Sequence, residues 1–198
     1  MQEKSARKSN QARTKATKDA LTGAAKALFV EKGYADTATP EIVKSAGVTR
    51  GALYHHFEDK ADLFRAVVRA EFEAVEREIN ASTVDAEMEG LDALLSGSLA
   101  YLNAMQEPGR VRILLLDGPA VLGRLEIDAI DQETSADSLR TGLREAMGAG
   151  AIRPLPLDPL TAQLSALFDR AALGVASGDD PGQHMQVIEH VFRSLQMP

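Results

Sequence analysis

The chain contains no cysteine. Disulfides, thiolate nucleophiles and cysteine-bound zinc are therefore excluded, and a reducing compartment fits. Long hydrophobic runs are missing too. Unbroken apolar stretches such as Ile113 to Leu116 are far shorter than the roughly 20 residues a membrane-spanning helix needs. The first 20 residues are polar and basic, without the apolar core of a secretory signal, so a cytoplasmic location and no membrane partner are expected. Aromatic residues make up only 5% of the chain, and alternating β-branched stretches are absent, which argues against sheets. There is no glycine-rich phosphate loop, no Gly-x-Ser-x-Gly elbow and no His-Glu-x-x-His, so catalysis is not expected. His55 and His56 are adjacent and point apart on a helix, and His184 and His190 lie on different faces. No metal site and no cofactor are expected from them. The acidic pairs Asp128/Asp131 and Asp179/Asp180 read as a solvated face and a helix start.

What is present is an ordinary globular composition with an uneven charge. The 198 residues are 44% hydrophobic and 26% charged, enough for one large domain or two small ones with a sizeable core. The net charge of −7 divides into +4 over residues 1–60 and −11 over residues 61–198. A basic head on an acidic body points the head, and not the body, at a polyanion. Lys4, Arg7, Lys8, Arg13, Lys15 and Lys18 crowd the start of the chain against Glu3. They read as a flexible basic arm, with reach into a minor groove as the functional alternative.

Almost every periodic stretch reads as helix. Leu21, Ala24, Ala25, Leu28 and Phe29 recur at the helical period, and Gly33 follows as a stop. Thr39-Pro40-Glu41 reads as a helix start with Thr39 as cap, and that short helix ends at Gly47. A second short helix is expected over 49–57. A longer one, capped near Asp59, carries Phe64, Val68, Phe72, Val75 and Ile79 on one stripe. The body is expected to hold a helix from Leu91 to Met105, a short apolar segment from Val111 to Leu116 and one long helical stretch over 120–147. Two further helices open at Asp158-Pro159 and Asp180-Pro181.

The densest chemistry lies in "AGVTRGALYHHFEDKADLF", residues 46–64. A short helix, a glycine turn and a second short helix make a helix-turn-helix. Val43, Val48 and Leu53 are spaced to seal the core between the two helices. Thr49, Arg50, Gly51, Ala52, Tyr54, His55 and His56 are left to face a groove. Arg50 can read a guanine edge through two bonds, and Ala52 or the Thr49 methyl can touch a thymine methyl. Tyr54, His56 and Lys60 suit phosphate oxygens, as do the backbone donors at the helix start marked by Thr39.

These residues closely resemble the DNA-binding domain of the TetR family of bacterial transcriptional regulators. The resemblance rests on Thr39, Ile42-Val43, Ala46-Gly47-Val48-Thr49, Leu53-Tyr54-His55-His56-Phe57, Lys60 and Leu63, with "LFVEKGYADTAT" (28–39) upstream. It covers about residues 15–70. Val43 departs from the alanine usual there. The resemblance implies an all-α fold: a three-helix N-terminal helix-turn-helix head joined to a helical C-terminal ligand-binding and dimerisation domain. The organisation expected is a basic arm over 1–14, a DNA-binding domain over 15–60, and a linker helix with a regulatory domain over 61–198.

The resemblance further implies a homodimer on a double-stranded palindromic operator. Its interface would run through the last two helices, with Leu160, Leu164, Leu167, Val187, Val191 and Phe192 as candidates. A small-molecule effector is implied in the body. Leu95, Tyr101, Met105, Leu114, Leu122, Ile130, Met147 and Phe168 are candidate lining residues, any of which could equally be plain core. Tyr101 is the most suggestive, with a polar tip on an apolar ring. The function implied is a ligand-released repressor. The alternatives are a DNA-binding regulator governed by a partner protein or acting as an activator, and a body whose head has left DNA.

Overall fold

The structure is a computed structural model. It describes residues 2–82 and 89–197, with side chains from Ala12 onward, so Lys4, Arg7 and Lys8 of the arm lie outside the described side chains. Among the described residues there are ten α-helices and no strand; one isolated bridge joins Ile152 to Gln196. None of these helices is long and apolar enough to cross a membrane.

The head is built from α1 (Gln2–Lys32), α2 (Thr39–Ser45) and α3 (Arg50–His56). Helix α1 begins at Gln2, inside the segment read as a flexible arm, so no element boundary falls at residue 14. It ends at Gly33, whose φ of 83° few other residues tolerate. The Arg112 guanidinium of the body lies over Gly33, 1.9 Å from where a Cβ would stand, so a side chain there would have to displace it. The cap of α2 is Ala38 rather than Thr39, and the Glu41 carboxylate accepts from the Ala38 N–H at 3.2 Å. Glutamate three residues into a helix can reach back to the cap, which leaves the Thr39 hydroxyl uncommitted.

Leu21, Ala25, Phe29, Ile42, Leu53, Phe57 and Phe64 close the head's core. Phe29 stands edge-on to Phe64 at 5.1 Å between ring centroids, and Tyr34 packs on both. Val43 sits half-buried at the edge of this core, and its carbonyl accepts from the Val48 N–H at 3.2 Å.

Helix α4 (Lys60–Ser82) starts under the head and runs into the body, with Leu63, Phe64, Val67, Val68, Phe72, Val75 and Ile79 buried along it. The body follows as α5 (Gly90–Ala104), a π-helical segment Arg112–Asp117, and α6 (Gly118–Leu122). It continues with α7 (Arg124–Gln132), α8 (Ser135–Gly148), α9 (Leu157–Ala176) and α10 (Pro181–Ser194).

The long helix expected over 120–147 is in fact three. The chain turns at Gly123, where φ is 87°, and again at Thr134, whose hydroxyl bonds the Ile130 carbonyl at 2.8 Å. Asp180 caps α10 as expected, accepting from the Gly182 N–H at 2.6 Å. Helix α9 starts earlier than expected, at Leu157, and Asp158 pairs with Arg140 at 2.8 Å instead of capping.

Head and body meet along α1, α4 and the π-helical segment. The Tyr34 N–H donates to Asp117 at 3.2 Å. Beneath it, the buried Glu71 on α4 takes Lys26 of α1 at 2.7 Å and the buried Arg110 at 3.1 Å. Arg110 also reaches Glu78 at 3.1 Å and the Ala104 carbonyl at 2.5 Å. Arg65 of α4 pairs with Glu126 of α7 and with Asp62.

Candidate nucleic-acid interface and body cavity

Helix α3 has seven residues, too few to be stable alone, so its surroundings hold it. The Thr49 hydroxyl caps it, accepting from the Ala52 N–H at 3.2 Å. Gly47, at φ 65°, makes the preceding turn. Leu53 is fully buried and Phe57 is 3% exposed, which anchors the inner face. On the outer face Thr49, Arg50, Gly51, Tyr54 and His55 are exposed, while Ala52 and His56 are half-buried.

The Arg50 guanidinium lies 5.5 Å from the Tyr54 ring centre, one helical turn on, and the two histidine rings stack edge-on at 5.0 Å. None of the four side chains makes an ion pair or a hydrogen bond to the rest of the protein among the described residues. A Cβ on Gly51 would meet nothing nearer than Thr49 Oγ1 at 3.9 Å. The protein itself therefore gives no steric reason for glycine in a helix, where it costs about 0.5–1 kcal/mol relative to alanine. Within the set read from sequence as groove-facing, Arg50 neighbours Tyr54 and His55 neighbours His56, while Ala52 and His56 are partly covered.

Lys60 differs. Its ammonium donates to the Tyr34 carbonyl at 2.8 Å and the Thr37 carbonyl at 3.0 Å, 4.2 Å from the Tyr34 ring centre. Two of its three donors bind the loop before α2, leaving one for a phosphate.

A cavity of about 240 Å³ opens in the body between α4, α5, α7, α8 and α9. Tyr101 and Phe168 line it; their rings lie 5.7 Å apart. Met105 lines a different hollow, beside Arg112 and Leu116. Leu95, Leu114, Leu122, Ile130 and Met147 line none of the described cavities, and Leu114 and Ile130 are plain core.

Sequence reading missed the polar floor of the cavity. Tyr101 donates to Asp169 at 2.8 Å, and Asp131 accepts from the Ser135 hydroxyl. Burial pushes the Tyr101 hydroxyl well above its ordinary value, and the charge of Asp169 adds to this. Burial likewise raises both carboxyls, Asp131 to about 6, against the donors that stabilise their ionised forms. The acidic pair Asp128/Asp131 is therefore not a solvated face. Asp128 pairs with Arg124 at 2.7 Å, while Asp131 turns inward. No group of histidine and acidic residues able to hold a metal occurs among the described residues.

The dimer candidates divide as well. Leu164 and Phe192 are 4% and 0% exposed, so they are spent on the protomer's own core and present nothing to a partner. Leu160, Leu167 and Val191 are half-buried and Val187 is 56% exposed. An amphipathic helix turns its strongest stripe to its own core first, which leaves the weaker face for a second copy.

A short capped helix after a glycine turn, with a free basic-aromatic face and a helical body, defines a helix-turn-helix transcriptional regulator. Residues 21–67 match the family model for bacterial regulatory proteins of the tetR family, and residues 91–197 match that of the tetracyclin repressor-like C-terminal domain. The chain belongs to the TetR family.

A crystal structure of a TetR-family transcriptional regulator from Pectobacterium atrosepticum is similar throughout. The two are 30% identical with a TM-score of 0.78, over 94% of this chain and 97% of that one. The TetC protein of transposon Tn10 from Escherichia coli is 26% identical over 92% of this chain and 93% of its own length. The transcriptional repressor BepR of Brucella suis is 44% identical over 78 residues, and the match spans only 37% of either chain.

Proposed function

We propose that the protein is a repressor that binds a palindromic operator as a homodimer and is released by a small molecule bound in the body cavity. The observation that carries the DNA-binding half is the outer face of α3. Arg50, Gly51, Tyr54 and His55 serve no packing role there, yet a cap and two buried side chains hold them rigidly. Arg50 reads a base edge, Ala52 and the Thr49 methyl touch bases, and Tyr54, His55, His56, Thr39 and the remaining donor of Lys60 meet the backbone. Gly51 lets the helix approach closely. Segment 1–14 adds basic charge to the operator contact, 15–60 forms the reading head, and 61–198 senses and dimerises, in the cytoplasm. The second copy packs on the outer faces of α9 and α10, around Leu160, Leu167, Val187 and Val191.

Release follows from geometry. Two heads fit two half-sites only at one spacing, about one helical turn of DNA. Ile79 near the end of α4 lines the cavity, and Lys60 at its start holds the head's loop, so α4 links the two sites. An effector shifts the head spacing only as far as its affinities for the two spacings differ.

Two variants test the two halves. Arg50→Ala is expected to cost about 1–3 kcal/mol on the operator and much less on unrelated duplex. Fluorescence anisotropy at fixed salt checks it, and equal losses on both duplexes would remove the base-reading role. Gly97→Leu fills the cavity from α5, where a Cβ has 3.8 Å to its nearest neighbour, and it replaces a helix-weakening residue. Compounds that stabilise the wild type in a thermal-shift screen are expected to bind this variant at least roughly tenfold more weakly. Its operator affinity without effector should stay unchanged. Effectors still acting on it would place their site elsewhere.

A further inference from the structure

The cavity is lined by acidic side chains and by no basic one, and one of the acids, Asp131, has no ion-pair partner among the described residues. We propose that it binds a compact organic cation, an aromatic amine or quaternary ammonium, with its charge between Asp131 and Asp169 and its apolar part against Phe168, Leu94 and Leu139. The proposal rests on the reading of the cavity as the effector site and names the effector's class.

Three carboxylates line the cavity, those of Asp131, Asp169 and Glu145, and no lysine, arginine or histidine does. Asp131 forms no ion pair among the described residues; the Ser135 hydroxyl and the Ala136 N–H are its donors. Asp169 takes the Tyr101 hydroxyl at 2.8 Å and pairs with Arg124 Nη2 at 3.7 Å, a cation it shares with Asp128, which Arg124 Nε holds at 2.7 Å. Asp131 is half-buried and has no counter-charge, so it gives up part of its hydration without an ion-pair partner to replace it. A ligand cation supplies that partner. The rings of Tyr101 and Phe168 beside the carboxylates add favourable faces for an ammonium.

An anion would meet repulsion from the half-buried Asp131 and Asp169. A neutral arene would fill the walls and leave the charge unanswered. The volume of about 240 Å³ lies below the roughly 300–1,000 Å³ common for drug-sized ligands, which favours a small cation. A neighbouring cleft beside Arg124, Arg140 and Asp158 shares Asp131, Ala136 and Ser165 with the cavity.

Binding should depend on pH. Asp131 is held near 6 by burial and by Asp169 and Asp128, against the donors Ser135 and Ala136. Around it stand Tyr101 from α5, Asp137, Arg140 and Glu145 from α8, Asp158 from α9 and Arg124 from α7; α4 contributes Ile79 and Asn80. Because the folded state raises this pKa from 3.8, folding stability falls as pH rises from 3.8 to about 6. Over the upper part of that window a permanently charged ligand gains its ionised partner, so its affinity rises.

The test is calorimetric titration of the full chain with benzylamine, benzyltrimethylammonium, benzyl alcohol and benzoate, repeated on Asp131→Asn and Asp169→Asn. The two cations are expected to bind at least about tenfold tighter than benzyl alcohol, and benzoate not at all. Each near-isosteric variant should weaken the cations about fivefold or more while leaving benzyl alcohol unchanged. For benzyltrimethylammonium, affinity should climb between about pH 5 and pH 7, and the climb should be clearly smaller in Asp131→Asn. Cations binding no better than benzyl alcohol, or binding undiminished in both variants, would overturn the proposal. If benzyl alcohol or benzoate binds instead and Gly97→Leu blocks it, the cation class falls and the effector cavity stands. If none of the four binds, the cation class also falls, and the response of Gly97→Leu decides the effector cavity separately.

Discussion

Arg110→Ala is expected to lower folding stability by about 3–5 kcal/mol. The Arg110 side chain is 4% exposed and the Glu71 side chain 5% exposed, so the pair is removed from water. Truncation leaves Glu71 with Lys26 alone, whose side chain is 32% exposed, and strips the Ala104 carbonyl of a donor at 2.5 Å. Such a loss reflects a buried charge left short of partners more than the worth of the pair itself. The double variant Arg110→Met with Glu71→Leu is therefore expected to recover most of the stability, because it removes both charges. Urea unfolding of the three proteins checks this, and a double variant as unstable as the single one would contradict the account. The functional consequence follows from position. Glu71 ties α1 of the head to the chain just before the π-helical segment, so its partners help fix the angle between head and body. The double variant should fold yet respond differently to effector.

Phe29→Ala is expected to cost about 3–5 kcal/mol and to abolish operator binding with it. Phe29 is fully buried and packs on Phe64 and Tyr34. The seven residues of α3 have no stability of their own; they stand because Leu53 and Phe57 rest on this core. A cavity under them frees α3, and an arginine carried on a mobile helix gains little from each contact it makes. Thermal unfolding followed by circular dichroism, with anisotropy on the operator, checks both parts. Retained operator affinity in a destabilised variant would show that the core and the reading face are not coupled.

The head was legible because its signals are local. The helix-turn-helix needs a cap at Thr49, a turn at Gly47 and inward residues at Leu53 and Phe57, all within eleven residues. The periodicity also exposed α4, α5 and α10. What was not legible depends on partners far along the chain. Asp131 looks like surface beside Asp128; only the packing of α5, α8 and α9 around it turns it inward. Glu71 and Arg110 are 39 residues apart, and neither carries a sequence mark of burial. Leu164 and Phe192 fit an apolar stripe, yet periodicity cannot tell a stripe facing its own core from one facing a second copy. The four-residue steps of Leu139, Leu143 and Met147 all lie beyond Gly123 and Thr134, so they carry no information about the breaks there.

The account turns on α3 reading DNA as one half of a symmetric pair. Selection of bound sequences from a random duplex library tests this most directly, with wild-type protein at roughly physiological salt and Arg50→Ala in parallel. The expected result is a palindromic consensus whose half-sites lie about one helical turn apart, with preference lost in the Arg50→Ala protein at one base pair in each half. Enrichment of no sequence, or the same consensus from both proteins, would contradict it.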